Sequence, residues 1–227
     1  MILPVDTLNY HFVIILSDFM FTGIVQTQAT VVSSTHSDGV LRLVVSVSDE
    51  YVKHLDLGAS IAINGCCLTV VKVEVSNQDV VAQVHFDVID ETLALTNLGE
   101  LTLGSLVNYE RSVTFGTELG GHIVSGHIHC TAKIRQIVKE QNNCKIQLNL
   151  PAEWHKFVLY KGFVAINGAS LTVGEIDEQG FWLHLIPETL AITNLGIAKV
   201  GDKLNIEVDQ QTYTIVNTVE NYLRHQG

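Results

Sequence analysis

INGCCLTV at residues 63–70 returns as INGASLTV at residues 166–173. ETLALTNLG at 91–99 returns as ETLAITNLG at 188–196, and the weaker TGIVQTQATV at 22–31 returns as SGHIHCTAKI at 125–134. Three pairs in the same order along most of the chain mean a duplicated domain. The interval of about 100 residues is too long for a solenoid unit, which repeats every ~20–50 residues. Each copy is therefore large enough to bury its own core. Two similar folds carry two similar pockets, an arrangement suited to a reaction that consumes two copies of one substrate.

Composition agrees. The chain has 227 residues, 47% hydrophobic and 16% charged, which describes a packed globular protein of two domains. Its formal net charge of −11 argues against nucleic acid and against an anionic membrane as partners. Cys66, Cys67, Cys130 and Cys144 include no C-x-x-C spacing, so free thiols in a reducing, cytoplasmic setting are the simplest reading, with no metal cluster. The apolar stretch at residues 11–21 is short, interrupted by Asp18 and without a basic flank. It reads neither as a signal peptide nor as a membrane span.

Period-2 alternation marks strands at residues 41–48, 81–88, 145–150, 181–186 and 203–208. Turn signals separate them at Ser37-Asp38-Gly39, residues 76–79, residues 141–143 and Gln179-Gly180. Short helices are expected at residues 49–56 and 151–158, in similar places of the two copies. Many short strands in each copy predict a small closed barrel or sandwich. The junction falls near residues 114–121. Val219, Tyr222 and Leu223 predict an amphipathic tail helix at residues 218–226 capped by Thr218. That helix packs either on its own chain or on a partner subunit.

The two copies can be compared with each other. Strand residues alternate faces, so Cys67 and Thr69 share one face, and Ser170 and Thr172 share the matching face of the second copy. Cys66 and Ala169 lie opposite, where only a small side chain is wanted. Cys67, Thr69, Ser170 and Thr172 thus read as two equivalent pocket linings, against the plainer alternative of core hydroxyls and a buried thiol. Asn64-Gly65 and Asn167-Gly168 read as tight turns, as do Asn97-Leu98-Gly99 and Asn194-Leu195-Gly196. The copies also differ: His127 stands against Ile24, and Phe163 against Ser60. His127, beside a repeated glycine, is the best acid/base candidate on these grounds. No dinucleotide fingerprint or phosphate loop appears, which leaves a cofactor-free reaction or a simple binding function.

MFTGIVQ (20–26), NGCCLTV (64–70), GGHIVSGHI (120–128), YKGF (160–163), SLTVGE (170–175) and LIPETL (185–190) together resemble the riboflavin synthase alpha-chain family, from Met20 to about Glu220. The resemblance implies an all-β chain of two tandem, duplicated six-stranded antiparallel Greek-key barrels with a C-terminal helix. Its divisions would be a non-family leader at 1–19, lumazine-binding barrels at 20–116 and 117–213, and a trimerisation helix at 214–227. It implies a homotrimer whose active site lies between the N-terminal barrel of one subunit and the C-terminal barrel of the next. The reaction would be the dismutation of two 6,7-dimethyl-8-ribityllumazine molecules by four-carbon transfer, giving riboflavin and 5-amino-6-(D-ribitylamino)uracil without a cofactor.

The donor must lose a proton from its 7-methyl group, and the acceptor must take a transient nucleophile, either water or a side chain. His127, Cys67, Ser60, Ser170 and Thr172 are available for these roles, and Phe21 matches the aromatic at the family's N-terminus that matters for activity there. Carried over by motif, substrate contacts are implied for Gly23, Ile24 and Val25, for Cys67, Leu68 and Thr69, and for Asp87, Val88, Ile89, Asp90, Glu91 and Thr92. The same holds for Gly126, His127 and Ile128, for Lys161, for Ser170, Leu171 and Thr172, and for Leu185, Ile186, Pro187, Glu188, Thr189 and Leu190.

There are two departures. Asn167 stands where family members often carry Asp, which removes a charge. Residues 1–19 precede the family's usual start, and Met20 is expected to be the true first residue. The rival reading is a non-catalytic antenna protein that holds lumazine or flavin. Both copies keep their CLTV or SLTV strand and their ETL-TNLG segment, which favours the enzyme. Association with a lumazine synthase shell is left open.

Overall fold

The computed structural model describes residues 21–75, 80–114, 116–140 and 143–225. The leader, Met20, the turn at 76–79 and most of the turn at 141–143 lie outside them. Twelve strands form two closed antiparallel barrels. In the first, β1 (Thr27–Ser37), β2 (Val40–Ser48), β3 (Ser60–Ile63), β4 (Cys66–Val75), β5 (Val81–Ile89) and β6 (Leu106–Arg111) close in the order β1-β2-β5-β4-β3-β6. In the second, β7 (Cys130–Glu140), β8 (Asn143–Asn149), β9 (Phe163–Ile166), β10 (Ala169–Asp177), β11 (Gly180–Leu185) and β12 (Lys203–Val208) close in the corresponding order. The duplication read from the sequence is thus a duplication of topology.

Alternation builds each core. In β5, Ala82, Val84, Phe86 and Val88 turn inward, and in β11, Phe181, Leu183 and Leu185 do. The longest strands, β1 and β7, escaped the sequence reading because each carries a register shift, at Val31/Ser33 and Ile134/Gln136, that breaks the period of two. The two expected short helices are 3₁₀ turns, Asp49–Val52 and Ala152–Phe157. Two further short helices, α1 (Asp90–Leu95) and α2 (Pro187–Ile192), open the ETL-TNLG repeats.

The tail helix corrects the expectation. α3 runs Gln210–Arg224, so Thr218 lies inside it and is no cap. Asp209 caps it by accepting from the Thr212 amide at 2.8 Å and the Thr212 hydroxyl at 2.7 Å. The run from Thr212 to Val216, β-branched but for Tyr213, hid this first half. Its inner face, Tyr213 and Val216, packs on its own barrel beside Trp154 and Phe157.

Six asparagines join the barrels. Asn97 Nδ2 donates to Asn167 Oδ1 at 3.2 Å, and Asn194 Nδ2 donates to Asn64 Oδ1 at 2.9 Å. Asn108 Nδ2 donates to the Asn167 carbonyl and Asn205 Nδ2 to the Asn64 carbonyl. The Asn97 amide donates to Asn205 Oδ1 and the Asn194 amide to Asn108 Oδ1. Every bond has its counterpart under exchange of the two halves. The Asn-Gly and Asn-Leu-Gly segments therefore do more than turn the chain. They satisfy one another's buried amides across the interface, where an unpaired polar group would cost about 1–3 kcal/mol.

This ring explains why asparagine suits position 167. Asn167 Nδ2 donates to Asn194 Oδ1 at 3.2 Å, and a carboxylate there would face that acceptor instead. Asn167→Asp is expected to lower stability by about 2 kcal/mol at pH 7, read as an earlier midpoint in urea. An unchanged midpoint would show that the ring tolerates the charge.

Candidate active site

The segments preceding β1 and β7 cross between the barrels. Phe21 and Val124 pair as a short antiparallel bridge, with N–O distances of 2.9 and 3.1 Å. Past it, Val25 of the first copy is buried in the second barrel's core, and Ile128 of the second copy in the first barrel's core. The Gly23 carbonyl accepts from the Ser170 amide at 2.7 Å, and the Gly126 carbonyl from the Cys67 amide at 2.9 Å. Each approach needs glycine. A Cβ on Gly23 would lie 2.7 Å from Ser170 Cβ, and one on Gly126 would lie 2.6 Å from Cys67 Cβ. Both residues also have left-handed φ values, +73° and +82°.

Two composite faces result. On the first barrel, Ser60 pairs in register with Thr69, and Cys67 lies two residues before Thr69 on the same side. The crossing strand at Gly126 borders Cys67. On the second, Phe163 pairs with Thr172, and Ser170 lies beside the crossing strand at Gly23. Cys66 and Ala169 are buried on the opposite, core side, as parity requires. Thr69 and Thr172 are exposed, and Cys67 and Ser170 half-buried.

The two faces differ chemically. Burial pushes the Cys67 thiol up, with the Ser60 hydroxyl partly offsetting it, so Cys67 is a neutral thiol near pH 7. On the other face, His122 Nδ1 lies 2.6 Å from Ser170 Oγ, and its ring stacks on Phe163 at 5.2 Å between centroids. Burial holds His122 below the ordinary imidazole range, while Asp209 pulls it back up. In its neutral Nε2–H tautomer the imidazole accepts a hydrogen bond from the Ser170 hydroxyl.

Sequence reasoning singled out His127 and missed His122. His127 is exposed, and its amide donates to Ser125 Oγ at 3.3 Å. The signal that could have found His122 was its place in GGHIVSGHI, one of the motifs that carry the family resemblance. Phe21 is buried among Ala62, Ala165 and Val124, with Cys67 against it. It packs between the barrels at their joint and borders the Cys67 face. The side chains of Val25, Leu68, Val88, Ile128 and Leu185 point into the cores, which leaves only their backbone to face outward. Asp87, Ile89, Asp90 and Glu91 are exposed, Thr92 half-buried. In the second copy Ile186, Pro187 and Glu188 are exposed, with Leu171, Thr189 and Leu190 half-buried. Ile24 is exposed beside Gly23, and Lys161 occupies a left-handed turn with its Nζ 5.2 Å from the Tyr160 ring.

Behind each crossing segment sits a buried carboxylate. Glu110 accepts from the Thr22 amide at 2.7 Å and its hydroxyl at 2.9 Å. Glu207 accepts from the Ser125 amide at 2.7 Å, the Ser125 hydroxyl at 2.8 Å and the Gly126 amide at 3.0 Å. Burial raises both, Glu110 from the ordinary 4.5 to about 7. The unfolded chain releases this proton near 4.5 while the folded chain keeps it to about 7. The stabilisation is therefore full below 4.5 and lost as pH rises through 7. Glu110→Gln keeps an acceptor for Thr22 and cannot ionise. It is expected to raise the Tm at pH 8 by on the order of 5 °C and to flatten the slope between pH 4.5 and 7. Parallel Tm-against-pH curves for variant and wild type would refute this.

Among the described residues no helix is long and apolar enough to cross a membrane. The lumazine binding domain family matches the chain twice, at residues 22–112 and 125–209, one match per barrel. The chain is 46% identical over 205 residues to riboflavin synthase of Escherichia coli strain K12, covering 90% of this chain and 93% of that one. It is 37% identical over 208 residues to riboflavin synthase of Chlamydia pneumoniae, covering 92% and 99%. Among solved structures it is similar to LumP complexed with 6,7-dimethyl-8-(1'-D-ribityl) lumazine, with TM-score 0.74, 27% identity and coverage of 84% of this chain and 100% of that one. LumP complexed with riboflavin gives TM-score 0.75 and 29% identity at the same coverage. A duplicated barrel with two composite polar faces and relatives of this closeness leads to one conclusion: the chain belongs to the riboflavin synthase family, transferase-type enzymes built from two lumazine binding domains.

Proposed function

We propose that the chain converts two 6,7-dimethyl-8-ribityllumazine molecules into riboflavin and 5-amino-6-(D-ribitylamino)uracil by transfer of a four-carbon unit. The observation that carries this reading is the pair of matched but unequal faces, Cys67 with Ser60 and Thr69 on one barrel, Ser170 with His122 and Thr172 on the other. Matched faces hold two copies of one heterocycle. Their differences let one copy donate and the other accept. Holding both in register turns a bimolecular encounter into an effectively unimolecular step, worth roughly 7–11 kcal/mol. The chemistry needs a base for the 7-methyl proton and a nucleophile for the acceptor. The neutral His122, bonded to Ser170, supplies a base with a hydroxyl to activate. The neutral Cys67 thiol supplies a hydrogen bond. Phe21 acts from behind the Cys67 face as a positioning wedge.

The working unit in this proposal is a homotrimer in which the first barrel of one protomer faces the second barrel of the next. A heterologous interface that closes as a ring places unlike faces together. Ile215, Val219 and Leu223 form an exposed apolar stripe on α3, 62%, 52% and 63% exposed, and supply a surface for that ring.

The test is incubation with 6,7-dimethyl-8-ribityllumazine alone, followed by absorbance and HPLC. One riboflavin and one aminouracil for every two substrates consumed is the expected result. The similarity to LumP with bound lumazine supports a second reading, a fluorophore-holding protein. It would be adopted if substrate bound tightly and stoichiometrically with no product formed.

A further inference from the structure

We propose that Glu110 and Glu207 are crossed positioning residues: each belongs to the last strand of one barrel and holds the segment that completes the ligand face of the other. This inference rests on the reading of the two faces as substrate sites.

Both carboxylates are buried, Glu110 at 4% exposure and Glu207 at 2%. Such a group destabilises a fold unless its hydrogen bonds are well made, and an apolar replacement is often at least as stable. Their placement points to a task. Glu110, on β6 of the first barrel, takes the Thr22 amide and hydroxyl. The Thr22 hydroxyl in turn accepts from the Ile24 amide at 3.1 Å. The segment so fixed delivers the Gly23 carbonyl to Ser170 of the second barrel. Glu207, on β12 of the second barrel, repeats the device. It takes the Ser125 hydroxyl, which accepts from the His127 amide, and that segment delivers the Gly126 carbonyl to Cys67 of the first barrel. Each face is thereby anchored from the other barrel's carboxylate.

The two anchors differ in detail. Glu207 accepts through both oxygens, Oε1 from Ser125 and Oε2 from Gly126. Glu110 accepts through Oε1, and its Oε2 meets no partner of hydrogen-bonding geometry among the described residues. An amide can therefore replace Glu110 but not Glu207, because the Gln NH₂ would confront the Gly126 N–H.

The experiment is peptide-resolved hydrogen exchange on the full chain, with and without riboflavin, following peptides over 61–72 and 164–175. Glu110→Ala is expected to speed exchange at least tenfold around Ser170, to leave the Cys67 peptide unchanged, and to weaken riboflavin protection on the second barrel only, since both bonds that hold the Thr22 segment are lost. Glu207→Ala should do the reverse. Glu110→Gln should restore protection at Ser170, whereas Glu207→Gln should not restore it at Cys67. Should the alanine variants fail to fold, Thr22→Val and Ser125→Ala remove one bond of each clamp and carry the same crossed expectation. Loosening of both peptides together, of the residue's own barrel, or of neither would overturn the proposal. Wild-type protein that gains no protection from riboflavin on either peptide would instead overturn the reading of the faces as substrate sites.

Discussion

Gly65→Ala is expected to destabilise the protein by about 4 kcal/mol, the sum of an overpacked contact and a left-handed alanine. The two Asn-Gly turns meet back to back where the barrels join. A Cβ on Gly65 would lie 2.5 Å from the Gly168 nitrogen and 2.8 Å from its Cα, and one on Gly168 would lie 2.8 Å from the Gly65 nitrogen. The obstacle is backbone and not a flexible side-chain end. It cannot retreat, because Asn64 and Asn167 on either side are fixed by the six-asparagine ring. Gly65 also sits at φ +77°. Gly58→Ala separates the two contributions. That residue has φ +85° with nothing within 4 Å of the added carbon, so it should lose only about 1 kcal/mol. Urea unfolding of both variants checks the claim. Equal midpoints for the two would mean that the contact between the turns yields easily and that backbone conformation alone matters.

That contact marks the boundary of what the sequence could tell. The duplication was legible because the repeated words carry the turns and strands, and strand parity put Cys67 with Thr69 and Ser170 with Thr172 on the outer side. The barrels' longest strands were not legible, because a bulge at Val31 and another at Ile134 spoil the alternation on which strand reading depends. The asparagine ring was visible only as turns. Its members are scattered from Asn64 to Asn205, and their bonds run between copies, where local propensity carries no signal. His122 was missed for a related reason. Comparing the copies highlights residues shared by both, and His122 lies outside the repeated words, at a position where the other copy's sequence has Phe19. The exchange of crossing segments was hidden too. Residues 22–31 and 125–134 are equivalent in sequence, yet Val25 and Ile128 each pack in the other copy's core.

His122→Ala and Ser170→Ala are each expected to lower kcat by about 10²–10³-fold, within the usual span of a lost acid/base partner. The 2.6 Å contact between Nδ1 and Oγ makes the two a unit, so the double variant should be little worse than either single one. The pH dependence gives the sharper check. Burial holds His122 below the ordinary imidazole range, so it remains an unprotonated base through neutral pH. On acidification it takes a proton and can no longer accept the Ser170 hydroxyl proton, and kcat falls on the acid side. Asp209 raises His122 against that burial. Asp209→Asn should therefore shift the acid limb to still lower pH, while asparagine continues to cap α3. His127→Ala, at an exposed position further along the same segment, should leave this limb where it is. A His122→Ala enzyme with wild-type kcat and an unmoved acid limb would remove His122 from the chemistry. A limb that shifts in His127→Ala and not in Asp209→Asn would transfer the role of base to the histidine that the sequence suggested first.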